Sequence, residues 1–143
     1  MTDTSPPSHE ARCQCGALTA TVPADAAPMT VLCHCSDCQR RTGSPFGTIA
    51  YYPRESVSLT GETRSYSRGT ATGGTITNAF CPQCGSTLYV TMSRKPEIAG
   101  IPVGAFADPA FPPAARSVWG QDRHGWVTLP DNMVAFERGL DGK

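Results

Sequence analysis

The chain has 143 residues, with 12 Lys and Arg against 12 Asp and Glu, so its formal net charge is zero. That length suits one domain with a modest core, and balanced charge argues against a general phosphate-backbone binder, which needs a positive excess. No apolar run approaches the ~20 residues that cross a bilayer, and 14 Gly with 13 Pro favour short strands and turns over long helices.

Residues 1–11 are polar and include Thr4-Ser5-Pro6-Pro7-Ser8, which predicts a flexible leader ahead of a single domain over residues 12–143. The leader lacks the apolar centre of a signal peptide, so the expected compartment is the cytosol. Cys13-Gln14-Cys15-Gly16 follows. Next, Leu18, Ala20 and Val22 alternate with Ala17, Thr19 and Thr21, a strand ended by Pro23. Residues 29–32 form a short apolar strand leading into Cys33-His34-Cys35-Ser36-Asp37-Cys38. Residues 39–42 suit one helical turn, broken by Gly43 and Pro45. Residues 46–52 are rich in aromatic and β-branched types and predict a strand. Residues 57–59 and 63–67 flank Gly61-Glu62 and predict a hairpin. Residues 75–80 and 87–91 predict two strands joined through Cys81-Pro82-Gln83-Cys84, the form of a zinc ribbon. Residues 98–103 predict another strand. Trp119 and Trp126 are expected in the core or in a pocket wall. Val134-Ala135-Phe136 is expected to cover one face of a sheet. The fold class is therefore mainly β, with short helical turns.

Seven cysteines is an odd number. A disulfide framework would leave one unpaired, and a cytosolic chain keeps thiols reduced, so metal ligation explains them better. Cys81-x-x-Cys84-Gly85 lets two sulfurs share one ion, and a glycine of positive φ turns backbone N–H groups toward them. Cys13-x-Cys15-Gly16 needs a tighter bend, which Gly16 permits. Together the two pairs supply four thiolates, the closed arrangement of a structural zinc site. Such a site contributes folding free energy on the order of 10 kcal/mol in small zinc modules. A redox role for Cys81 and Cys84 fits less well, because Gly85 and a β-type run follow instead of a helix.

Cys33, Cys35 and Cys38 remain for a second ion. Three protein ligands leave a fourth position open, the arrangement of a catalytic zinc. The alternative is that His34, His124 or an aspartate closes it. Adjacent residues of an extended segment face opposite ways, which sets His34 against sharing an ion with Cys33 and Cys35. Zinc with three thiolates carries net charge −1. It polarises water poorly and holds a soft sulfur ligand well, so thiol-substrate chemistry is expected ahead of hydrolysis. Arg40 and Arg41 follow within one turn of Cys38 and can pair with a carboxylate; the plainer reading makes them solvated surface charges. Gly43 and Ser44 offer a loop with backbone donors. Asp37 can accept a hydrogen bond or act as a base. Only Lys95 and Lys143 are lysines, so the cations are mostly arginines, which favour directed carboxylate recognition.

Three stretches carry a resemblance: Cys13-Gln14-Cys15-Gly16-Ala17, residues 33–45 from Cys33 to Pro45, and Cys81-Pro82-Gln83-Cys84-Gly85-Ser86-Thr87-Leu88. With them the chain resembles the glutathione-dependent formaldehyde-activating enzyme family, also called centromere-protein-V-like. The likeness continues more weakly over residues 119–137. It implies the Mss4-like (β-tent) fold, a structural zinc on Cys13, Cys15, Cys81 and Cys84, and a catalytic zinc on Cys33, Cys35 and Cys38. It also implies a carbon–sulfur lyase that joins formaldehyde to the thiol of glutathione. Arg40, Arg41, Gly43 and Ser44 are the expected substrate contacts. The expected partner is a small thiol such as glutathione, with no nucleic acid and no membrane. A non-catalytic zinc-stabilised binding module, or a thiol or metal carrier, is the alternative. The chain departs from the family at Ser117, before Val118, where members often carry His.

Overall fold

The computed structural model describes residues 7–140. The first strand, β1 (Ser8–Arg12), pairs antiparallel with β2 (Thr19–Pro23), setting Ala11 opposite Ala20. The expected leader therefore does not extend over residues 8–11. That stretch is a paired strand, with Ala11 fully buried, and residues 1–6 lie outside the described residues.

The strands β3 (Met29–Cys33) and β4 (Gly47–Pro53) run antiparallel and enclose the helix α1 (Ser36–Thr42). The helix begins three residues earlier than the expected turn, because Cys35 caps it. The Cys35 Sγ accepts the backbone N–H of Cys38 at 3.3 Å, filling the place a serine hydroxyl usually takes. Asp37 in the first turn and Arg40 and Arg41 in the last complement the helix dipole. Gly43 ends it at φ 71, donating its N–H to the Gln39 carbonyl.

The predicted hairpin does not form. β5 (Ser58–Thr60) pairs with β2, whereas β6 (Arg64–Gly69) pairs with β7 (Thr75–Phe80). The chain leaves one sheet for the other at Gly61. There φ is 116, and a Cβ would strike the Ala17 carbonyl. The strands β8 (Thr87–Met92) and β9 (Ile98–Pro102) follow, and two short strands, β10 (Arg116–Val118) and β11 (Val134–Ala135), complete the set. Among the described residues there are two sheets, β1-β2-β5 and β11-β10-β3-β4-β9-β8-β7-β6.

One core lies between them. Ala11, Ala20 and Val22 of the small sheet, with Leu18 of the loop before β2, meet Ala50, Tyr52, Leu88, Ile101 and Phe106. Ala50 and Tyr52 face that core, so by strand alternation Gly47, Ile49 and Tyr51 face the opposite side, together with Cys33. The helix α1 packs on that second side: a Cβ on Gly47 would lie 3.7 Å from the Cys38 Cβ and 3.2 Å from Thr42 Cγ2.

Two expectations about the C-terminal part are corrected. Trp126 is 72% exposed and anchors nothing; Trp119 is partly buried, with the Arg138 guanidinium over its ring. Residues 134–135 do not cover a sheet face. They extend the edge, pairing in parallel with β10, and Val134 remains exposed.

Candidate metal centres and the adjoining cleft

The seven cysteines fall into two groups, Cys13, Cys15, Cys81 and Cys84, and Cys33, Cys35 and Cys38. Within each, the sulfurs lie within 4.8 Å of one another. Each group can hold a metal ion. This is the four-plus-three division expected from spacing.

The four-sulfur group is built by two loops of like design. The first joins β1 to β2, and the second joins β7 to β8. In each, the first cysteine's N–H donates to a carbonyl five residues on, Leu18 or Ser86, at 3.0 Å. In each, the glycine after the second cysteine has φ 82. Backbone N–H groups turn toward sulfur as anticipated: Leu18 N–H donates to Cys13 Sγ at 3.2 Å, and Gln83 N–H to Cys81 Sγ at 3.4 Å. Ser86 ties the loops together, its hydroxyl accepting the Gln14 N–H at 3.1 Å and lying 3.4 Å from the Cys84 sulfur. The sulfurs suit zinc. Four thiolates at about 2.3 Å from a tetrahedral ion stand about 3.8 Å apart, and the Cys13–Cys15 and Cys15–Cys81 separations are 3.7 and 3.6 Å. Charge is shared unequally among these thiols. Hydrogen bonds donated to the Cys84 sulfur by the Ser86 hydroxyl and then by its backbone N–H lower that thiol to about 5. At Cys15 the Ala17 N–H acts downward, but desolvation and the other thiols outweigh it and push the group up to about 11.

The three-sulfur group spans the end of β3 and the first turn of α1. Cys33 is held up by its bonds to Cys35 and Cys38 and by burial, whereas Cys35, accepting from Cys33 and Cys38, is held far below an ordinary thiol. The set is all soft sulfur, which fits zinc. His34 supplies no fourth ligand. It is fully buried, and its Nε2 lies 3.0 Å from the Ser117 hydroxyl. His124 is also engaged elsewhere, its Nε2 being 2.9 Å from Gln39 Oε1. Gln39 in turn donates its amide to the His34 carbonyl at 2.8 Å.

Beside this group lies a cleft of about 390 Å³, walled by Asp37, Arg40 and Arg41 of α1, by Tyr66, Arg68, Asn78 and Phe80 of β6 and β7, and by Gly85 and Thr87. Arg40 and Arg41 therefore border a concave surface, as the carboxylate reading requires. Gly43 and Ser44 do not line it. Their N–H groups already donate, to the Gln39 carbonyl and the Thr42 hydroxyl, so neither residue offers a free backbone donor. Arg68 and Tyr66 had no local signal in the sequence; only the pairing of β6 with β7 brings them opposite α1. Tyr51 is a further addition. Its ring packs where Gly100 lacks a side chain, and burial, with Cys38 and Cys33 nearby, pushes its phenol up to about 12.

The description of the glutathione-dependent formaldehyde-activating enzyme family matches residues 8–122. The chain belongs to that family. As a member of it, the mainly β architecture with one short helix is the Mss4-like fold the family adopts. A Rhodobacter sphaeroides protein solved by crystallography in a structural-genomics programme is similar in fold. The TM-score is 0.55 at 24% identity, covering 73% of this chain and 91% of that one. No curated protein matches the chain.

Proposed function

We propose that this chain is a zinc-dependent carbon–sulfur lyase of the S-(hydroxymethyl)glutathione synthase type, acting on a small carboxylate-bearing thiol and formaldehyde. One observation carries the reading: Cys33, Cys35 and Cys38 converge with no fourth donor among the described residues, next to a cleft bordered by arginines. A zinc held by three thiolates would supply an open position suited to a substrate sulfur as thiolate.

The chain's own residues do the rest. Arg40 and Arg41 border the cleft and are placed to take carboxylate oxygens, in charge-assisted bonds that orient the thiol. The thiols of Cys33 and Cys38 hold Cys35 down and the Arg68 charge adds to that; at Cys38, which Cys35 and burial hold up overall, the Arg41 charge acts the other way, so both guanidinium groups favour negative charge on sulfur here. His34 and Gln39 fix the backbone between the sulfurs. In the reaction the thiol adds across the aldehyde C=O: a C–S bond forms, the C=O π bond breaks, and the proton released from sulfur ends on the former carbonyl oxygen.

The test uses protein loaded with cobalt at both sites. Glutathione is expected to shift the absorption assigned to Cys33, Cys35 and Cys38, as identified in a Cys35→Ser control, while leaving the four-sulfur band in place. An unmoved spectrum at millimolar glutathione sinks the reading.

A further inference from the structure

The charge of the cleft is unlike that of the chain. Its walls carry three guanidinium groups, from Arg40, Arg41 and Arg68, against the single carboxylate of Asp37, an excess of two positive charges in a protein of zero net charge. Arg41 also holds one guanidinium nitrogen, Nη2, buried without a hydrogen-bond partner. A cleft of this size and sign suits a small anionic ligand.

Arg68 is the cationic group on the wall opposite α1. Its side chain is only 21% exposed, yet its sole ion-pair partner among the described residues is Asp37, whose Oδ2 lies 3.3 Å from Arg68 Nη1. Asp37 sits between Cys35 and Cys38 and is 52% exposed. The contact is single and partly solvated, so it is a weak pair by itself. A bidentate carboxylate from a ligand makes a stronger one.

We propose that Arg68 is a specificity-determining residue of the thiol-substrate cleft: it binds a carboxylate of the substrate across from Arg40 and Arg41, and Asp37 is the internal carboxylate that the substrate displaces. The inference rests on reading Cys33, Cys35 and Cys38 as a thiol-substrate site. It adds that recognition spans both walls, so that a thiol with carboxylates is selected over one without. Asp37 serves as a placeholder, keeping Arg68 turned toward the sulfurs before substrate arrives.

The experiment is calorimetric titration of the zinc-loaded full chain with S-methylglutathione, which keeps both carboxylates but has no free thiol, and with its diethyl ester. The acid is expected to bind at least about ten-fold more tightly than the ester. Arg68→Gln is expected to weaken the acid about ten-fold and leave the ester unchanged. Asp37→Asn is expected to tighten the acid by roughly two- to three-fold, since it removes the competitor. Zinc content and thermal midpoint establish that both variants fold. If the pair only fastened α1 to β6, both variants would change affinity in the same direction; that result overturns the proposal, as does equal binding of acid and ester or no binding of the acid. Cobalt spectra separate this from the reading beneath it. A glutathione-induced shift that is the same in wild type and Arg68→Gln overturns the Arg68 role alone. S-methylglutathione bound through Arg68, with a cobalt spectrum that glutathione does not move, supports the subsite and overturns the thiol reading.

Discussion

The His34 Nε2 lies 3.0 Å from the Ser117 Oγ, and both side chains are fully buried. Around this bond the backbone of the cysteine segment is pinned twice more: His34 N–H donates to the Val118 carbonyl at 3.1 Å, and Gln39 donates to the His34 carbonyl at 2.8 Å. With His34 drawn inward toward β10, the flanking Cys33 and Cys35 turn the other way. Ser117→Ala removes the hydroxyl and leaves the ring with no side-chain partner, since Nδ1 already lacks one. The expected cost is about 1–3 kcal/mol. It is read as a lower urea midpoint at unchanged denaturant dependence, with weaker metal retention at the three-sulfur site.

Two glycines separate stability from binding. A Cβ on Gly100 would strike Ile49 Cγ2 and stand 2.8 Å from the Tyr51 ring, both inside packed structure. Gly100→Ala is expected to destabilise by about 1–3 kcal/mol through overpacking. A Cβ on Gly47 meets chiefly Arg41 Nη2 at 2.7 Å, the far end of a flexible side chain. Gly47→Ala is expected to change stability by less than about 1 kcal/mol while displacing Arg41 and weakening S-methylglutathione binding several-fold. Chemical denaturation and calorimetry on the two variants check the contrast.

The four-sulfur group joins the β1–β2 loop to the β7–β8 loop, so it ties the small sheet to the large one. Cys84→Ser is expected to cost several kcal/mol, on the order of a structural zinc's contribution, and to lower the thermal midpoint steeply. Cys35→Ser touches only β3 and α1 and is expected to leave a folded protein with one zinc fewer. The same asymmetry predicts the order of metal loss. A weak chelator should strip the three-ligand site first, which iodoacetamide labelling followed by peptide mass analysis reads as earlier modification of Cys33 and Cys35 than of Cys15 and Cys84.

What the sequence made legible was local. Ligand spacing and the glycines after Cys15 and Cys84 are properties of a few consecutive residues, and both loops formed as those residues dictate. The strands over 75–80 and 87–91 followed from composition and from the knuckle between them. What stayed hidden was decided by pairing over long separations. Residues 57–59 and 63–67 look like the arms of a hairpin across Gly61, but the strands that form there, over 58–60 and 64–69, pair with distant partners, β2 and β7. That choice puts Arg68 opposite Asp37, so half of the cleft had no local signal. The early start of α1 was missed for a different reason: a thiol replaces the usual hydroxyl or carboxylate cap.

Metal loading of the three-sulfur site should be strongly pH dependent, with affinity rising as pH rises. At neutral pH the cluster shares one negative charge. Cys35 carries it, stabilised by the thiols of Cys33 and Cys38, and Cys33 is held protonated by those same bonds and by burial. At Cys38 the bond to Cys33 acts downward, but Cys35 and burial outweigh it and push the group up to about 11. Both raised thiols must lose their protons before three thiolates can bind an ion, so loading releases about two protons per ion near pH 7. Acid opposes loading, and each unit fall in pH below neutrality should weaken apparent affinity by about two powers of ten until Cys35 also titrates. A pH-indicator titration of metal-depleted Cys84→Ser, if it retains its fold by circular dichroism, isolates this site; otherwise the difference between wild type and Cys35→Ser gives the same number. Release of three protons, or of none, would mean that the thiols do not share charge in this way.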